Sequence, residues 1–383
     1  MSGKRRAELI EAIQQERKSW VIAYVLGDEP GSEGGIGPDA VEVMYRLLCG
    51  LKPLEKKPLD LILVAQRGDT ETPWEMVGMI RQLFDLFDVI VPRKAHGPAT
   101  MIALGADTVI MGERGTLSSI EPLVPADDFS PGRGEEIQAR SAEDAKAVLS
   151  VMESFGRVRE KQRIDAFLRL MDKVDPLFMG NLHRRAEQLR TDCLLLLEQR
   201  KRRFSAWRNG KIVRHLTSDS ACCHRSITRS DAVKNVGLKQ VRREDSLEPL
   251  VSELLTLYEQ ELKPVEPFNP EAPAERNDGE EEVFCDRKVA CMESVRGTRI
   301  LMQDIKVQKV REIPGGIRLD PQILLPSLHI SPESDEQGVW SFIEGWLQEN
   351  LPRLIDESLA RFQKSLPVAG YKQTAINRRW VDG

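Results

Sequence analysis

The chain lacks several things that would place it quickly. No apolar run approaches the roughly 18 residues a membrane-spanning helix requires. The N-terminal stretch MSGKRRAELIEAIQQERKSW is basic at its start but has no apolar h-region, so it reads as an amphipathic helix rather than a secretory signal. The six cysteines, at 49, 193, 222, 223, 285 and 291, form no CxxC pair. Cys285 and Cys291 have no matching histidine spacing for zinc, so no metal site is expected and reduced thiols of a cytoplasmic protein are. No GxSxG, HExxH, P-loop or GxGxxG occurs, which removes the commonest hydrolase, metalloprotease and nucleotide-binding signatures. Excess charge is missing too. Fifty-five basic against 60 acidic residues give a formal charge of −5, too mild to argue for nucleic acid or a membrane surface. The basic cluster Arg200-Lys201-Arg202-Arg203 reads as a solvated helix end.

What is present is the make-up of a globular protein, with 30% charged residues and a length of 383 that predicts two domains or three. Helical spacing covers residues 3–17, with Ala7, Leu9, Ile10 and Ile13 on one face. Trp20–Leu26 is an apolar strand, and residues 27–37, with their glycines and acids, form a flexible loop. Residues 38–51 are helical. Residues 59–65 (LDLILVA) are almost continuously apolar, as a parallel strand covered on both faces would be. A turn at 66–70, a helix at 73–87, a strand at 89–91, a turn at 95–100, a short helix at 101–105 and a strand at 108–111 follow. The order is that of an α/β layer with parallel crossovers. The turns at 66–70 and 95–100 follow strand C-termini, where sites form in such sheets, and are expected to face one cleft.

Beyond Ser141 the pattern becomes helical: 142–155, a long region at 156–204 broken at Asp175-Pro176, a short capped helix at 228–236, and an amphipathic helix at 244–262. The domain expectation is a first domain at 1–262, an acidic, proline-rich linker at 263–282, and a small α+β module at 283–383. That module reads as alternating strand at 283–310, a strand at 315–325, a helix at 338–366 and an irregular tail at 367–383.

The stretch 89–112 is the centre of the chain. A strand feeds a turn of small residues, His96-Gly97-Pro98-Ala99-Thr100, and then a helix. Such a turn aims backbone N–H groups and one side chain into a cleft. Here the residue at its apex is Gly97.

Three segments, LDLILVAQRGDT (59–70), VIVPRKAHGPATMIALGADTVIM (89–111) and GTLSSIEPL (115–123), resemble the serine dehydrogenase proteinase family. Its members sit with the signal peptide peptidase SppA and with ClpP in the ClpP/crotonase superfamily. The similarity covers residues 5–260. It implies a ClpP/crotonase-like spiral fold with helical additions, no cofactor, and a homo-oligomer, for which the apolar stretches 191–198 and 244–262 are candidate contact surfaces.

Family members carry Ser-Pro-Gly-Gly at the first turn, where this chain has Ala65-Gln66-Arg67-Gly68, and Ser-Ala-Gly-Thr at the second, where it has Gly97-Pro98-Ala99-Thr100. The resemblance therefore places the nucleophilic serine on Gly97, which has no side chain, and the oxyanion and substrate-binding turns on Arg67, Gly68 and Ala99. Bulky Arg67 is expected to crowd that approach. The lysine base would be Lys146, 49 residues after Gly97 (146 − 97). His224 resembles a family position before a short helix, but shows no metal-ligand spacing with His96. The expectation is a serine-peptidase homologue that lacks catalysis and binds a peptide or protein as a scaffolding subunit. The alternative is an active hydrolase with a relocated hydroxyl, on Thr100, Ser118 or Ser119, served by Lys146 or His96 as base. That alternative requires a hydroxyl within about 3 Å of a base nitrogen.

Overall fold

The computed structural model describes residues 2–51, 57–121, 123–124, 140–141, 176–217, 225–264, 268, 281–311 and 366–383, with isolated helical positions at 164, 168, 344, 348 and 362. The expected helix at 142–155, Lys146, the adjacent Cys222-Cys223, His224, and the expected elements at 315–325 and 338–366 lie outside the described residues, apart from single helical positions.

In chain order the described elements begin with α1 (Ser2–Arg17), β1 (Trp20–Leu26), α2 (Asp39–Gly50), β2 (Leu59–Val64), α3 (Thr72–Leu83), β3 (Phe87–Val91), β4 (Lys94–Ala95), α4 (Pro98–Leu104), β5 (Thr108–Met111) and β6 (Thr116–Leu117). The short strands β7 (Leu123–Val124) and β8 (Arg140–Ser141) pair with each other. Then come α5 (Pro176–Glu198), α6 (Ala206–Thr217), β9 (Ile227–Thr228), the helical turns Arg229–Asp231 and Ala232–Val236, β10 (Val241–Arg242), α7 (Glu248–Leu262), and three long strands: β11 (Glu281–Ser294), β12 (Gly297–Arg311) and β13 (Val368–Asp382).

The class is α/β, built on a mixed eight-stranded sheet in the order β10-β5-β3-β2-β1-β11-β12-β13. From β1 to β10 neighbouring strands are parallel, and β11 joins β1 antiparallel, pairing Ile22 with Ser294 and Leu26 with Ala290. The parallel half advances one way only, β1 to β2 to β3 to β5. The crossover helices α2, α3 and α4 all pack on the same face.

Alternation within each buried strand explains the layering. Ile22, Tyr24 and Leu26 of β1, with Leu59, Leu61 and Leu63 of β2, face that helical layer. Val21, Ala23 and Val25, with Ile62 and Val64, face α1 and α7. Both faces are covered, so these strands are apolar but for Asp60, which is buried and paired with Arg17. The apolar residues of α5 and α7 proposed as contact surfaces are largely spent internally: Cys193, Leu196 and Leu197 are buried in the first layer, and Val251, Leu254 and Tyr258 in the second.

Five sequence expectations need correction. The helix at 73–87 ends at Leu83, because Phe84 is extended and Phe87 already pairs with Leu59. The short helix begins at Pro98, not at 101. The tail is not irregular: β13 fills 368–382, and Trp380 Nε1 and Arg378 Nε both donate to Asp39 Oδ2, at 2.7 and 3.0 Å. Arg200 is not solvated. It is buried, its guanidinium 4.3 Å over the Phe204 ring and its Nε donating to the Leu197 carbonyl. The loop at 27–37 is packed: Gly31, Ser32, Gly34 and Ile36 are buried, and the Gly27 N–H donates to the Val289 carbonyl.

The chain divides into two compact units. The first comprises Met1–Phe268, Asp286–Gln303 and Asn377–Gly383, so strand residues from the C-terminal part belong to its sheet. The second comprises Asn269–Cys285 and Asp304–Ile376, in which Lys306 pairs with Glu281.

Candidate functional site

The turns after β2 and β4 are brought side by side by backbone hydrogen bonds. Ala65 N donates to the Lys94 carbonyl and His96 N to the Ala65 carbonyl, both at 2.9 Å. Together they line one cleft of about 1090 Å³, whose walls include Arg67, Gly68, His96, Gly97, Ser118 and Trp74. The cleft lies at the carboxyl ends of the parallel strands.

Gly97 stands where β4 gives way to α4, with φ +53° and ψ −115°. That backbone is strained for any residue with a Cβ. A Cβ built on Gly97 nevertheless meets nothing within 4 Å, so there is room above it for a side chain. The turn has the shape that presents a nucleophile and has no atom to present.

Gly68 is glycine for a different reason. At φ +146° a Cβ would lie 2.4 Å from the Ile36 carbonyl oxygen and 2.5 Å from its nitrogen. Ile36 N donates to the Arg67 carbonyl and Asp69 N to the Ile36 carbonyl, both at 3.0 Å. In an extended segment alternate N–H groups point opposite ways. The Gly68 N–H is therefore turned away from Ile36, and it has no hydrogen-bond partner among the described residues. Arg67, also on the cleft wall, is exposed and makes no ion pair among the described residues. Asp69 is occupied elsewhere: its carboxylate accepts from Glu71 N, Thr72 N and Thr72 Oγ1, which fixes the start of α3.

Two of the three candidate hydroxyls, on Thr100 and Ser118, are committed to the scaffold, while Ser119 lines the cleft and gives its carbonyl to Ser118. Thr100 is fully buried, donates to the Ala95 carbonyl at 2.7 Å and accepts from Ser118 N at 3.1 Å. Neither Thr100 nor Ala99 lines the cleft, and both expectations of a cleft role are corrected accordingly. Ser118 Oγ accepts from Gly97 N at 2.8 Å and donates to the Ser119 carbonyl at 2.7 Å. His96 is half-buried. Burial, and then the charge of Lys94, lower its pKa, so the neutral imidazole is favoured. Its Nε2 lies 3.0 Å from Thr116 Oγ1, a β6 hydroxyl that sequence reasoning did not consider and that is not part of the cleft wall. No signal in the sequence joins residues 96 and 116. The pairing arises because β4 lies beside β6, Lys94 against Thr116.

The cleft carries charge of both signs, with Arg67, Arg185 and Arg225 against Asp69, Glu71, Glu75 and Glu121. Among the described residues no cluster of three or more His, Cys, Asp or Glu side chains could hold a metal ion, and no helix is long and apolar enough to cross a membrane. No protein-family model matches the chain, and no curated protein matches it.

Proposed function

We propose that this chain is a catalytically degenerate relative of the serine dehydrogenase proteinases, within the ClpP/crotonase superfamily, and that its cleft holds a peptide or protein segment without cutting it. The observation that carries the reading is Gly97: a strained strand-to-helix turn, open above, with no side chain to attack a carbonyl. The one-way advance of the parallel strands, with all crossover helices on one face, supports the spiral arrangement that the resemblance implies. The free Gly68 N–H supports a binding role for the neighbouring turn, since such a donor suits a main-chain carbonyl or carboxylate. A relocated nucleophile at Thr100 or Ser118 gains no support: Thr100 is enclosed, Ser118 is engaged by Gly97 and Ser119, and the hydroxyl that does lie 3.0 Å from His96 Nε2, on Thr116, is off the cleft wall. The reading extends to a cytoplasmic homo-oligomer that needs no cofactor, metal or nucleic acid.

The test is chemical. The purified chain should resist a serine-directed fluorophosphonate probe and leave a mixed peptide library intact. Labelling, or cleavage that disappears in Lys146→Ala, would overturn the proposal.

A further inference from the structure

We infer that the cleft recognises the free C-terminal carboxylate of its peptide, with Arg67 and the Gly68 N–H as the receiving groups. The inference rests on the peptide-binding reading above and names what that site selects.

The argument starts from what an oxyanion turn does. Backbone N–H groups suffice for the transient charge of a tetrahedral intermediate. A guanidinium adds a full, permanent positive charge and a planar fork matched to two oxygens. Here the guanidinium side chain belongs to Arg67, and the free N–H belongs to the next residue, Gly68. Ile36 holds the backbone on either side of Gly68, through the Arg67 carbonyl and the Asp69 amide, so the donor is fixed before any ligand arrives. The acid two positions on, Asp69, makes no ion pair with Arg67 and turns its oxygens to the first turn of α3. Gly97, in the opposite turn, leaves open space where a nucleophile would stand. A carboxylate has one oxygen more than the carbonyl of an internal peptide bond, and that space admits it. Turns that would otherwise stabilise a reaction thus become a receptor for the group that a cleavage reaction leaves behind.

The remaining charges narrow the ligand. Glu71, Glu75 and Glu121 line the same cleft and repel a strongly acidic segment. Trp74 and Pro98 supply apolar wall. A single terminal carboxylate on a peptide of apolar or basic character satisfies both facts.

The experiment uses the full-length chain, immobilised, and a mixed library of N-acetylated hexapeptides made in two forms, free acid and carboxamide. Bound peptides are identified by mass spectrometry. Charge-assisted hydrogen bonding predicts enrichment of acids over amides by about tenfold. Arg67→Gln should bring the ratio near one while leaving the thermal melt unchanged, since Arg67 is exposed and supports no other group. Arg114→Gln, an exposed arginine outside the cleft, should leave the ratio as it was. Equal capture of acids and amides by the unaltered chain overturns the carboxylate inference and leaves the peptide reading standing. Selectivity that survives Arg67→Gln overturns the assignment to Arg67. Capture of neither form overturns both.

Discussion

Ser118 Oγ accepts the amide of Gly97 at 2.8 Å, so the hydroxyl beside the nucleophile position is consumed in holding that position. The same oxygen donates to the Ser119 carbonyl, and Ser118 N returns to Thr100 Oγ1. Ser118→Ala removes the acceptor but leaves the Gly97 amide on the wall of an open cleft, where water is expected to replace it. The expected loss is therefore small, about 1 kcal/mol by urea denaturation.

Gly97 and Gly68 make opposite demands, and alanine substitutions separate them. Gly97→Ala meets open space, so its penalty is backbone strain alone, about 1–3 kcal/mol. Gly68→Ala drives a Cβ into the Ile36 backbone, which cannot rotate aside as a side chain would. Strain and overpacking together should exceed about 3 kcal/mol and dislodge the pairing of Ile36 with Gly68. Equal denaturation midpoints for the two variants would contradict this assignment.

How much of this could be read in the sequence follows from the range of the interactions. β1, β2 and β5 are readable because strands covered on both faces are almost continuously apolar, and the bounds of β1 and β5 match the apolar runs. The capped turn ending at Gly237 was readable because its signals are local: Thr228 Oγ1 accepts from Asp231 N, and Gly237 takes φ +93°. The end of α3 was not, because Phe84 and Phe87 keep helical spacing while the sheet claims Phe87. The strand at 368–382 has no apolar alternation, and its neighbour in the sheet, β12, lies far away in the chain. At the site, the apex glycine was evident from the sequence. The burial of Thr100 was not, since it depends on a residue 18 positions away.

Asp107, at the amino ends of β3 and β5 and off the cleft wall, has a structural role. Burial alone would raise its pKa, but hydrogen bonds from Arg81 and from the amides of Lys201 and Phe87 outweigh that and lower it. A lowered carboxylate pKa means that the unfolded chain takes up the proton first on acidification. The stabilisation is complete above the ordinary value of about 3.9 and is lost as pH falls through the lower folded value. Asp107→Asn should lower stability at pH 7 by about 2–3 kcal/mol, and the difference from the unaltered chain should shrink as the pH is taken toward 2.

His96 predicts a pH effect in a higher window. Its pKa is lowered by burial and by Lys94, so the unfolded chain again binds the proton first. Stability from His96 is present above about 6.5 and declines as pH falls below it toward the lower folded value. His96→Gln removes that dependence. Urea titrations between pH 7.5 and 5 should show a shallower decline for the variant, and parallel curves would refute the buried, neutral state of this imidazole.

The tie between the two ends of the first unit offers the sharpest test of its architecture. Glu293 of β11 is buried and accepts from Arg6 Nε at 2.7 Å, Tyr258 Oη at 2.9 Å and Thr298 Oγ1 at 2.9 Å. One carboxylate thus joins α1, α7 and β12 to the strand beside β1. Removing one member of such a pair leaves the other charge buried without its partner, so Glu293→Gln should cost about 3–5 kcal/mol. Replacing both Arg6 and Glu293 by methionine removes the charges together and fills similar volume, so it should recover much of that loss. If the double variant is as unstable as the sum of the single ones, the two residues do not interact, and the antiparallel seat of β11 on β1 would have to rest on backbone pairing alone.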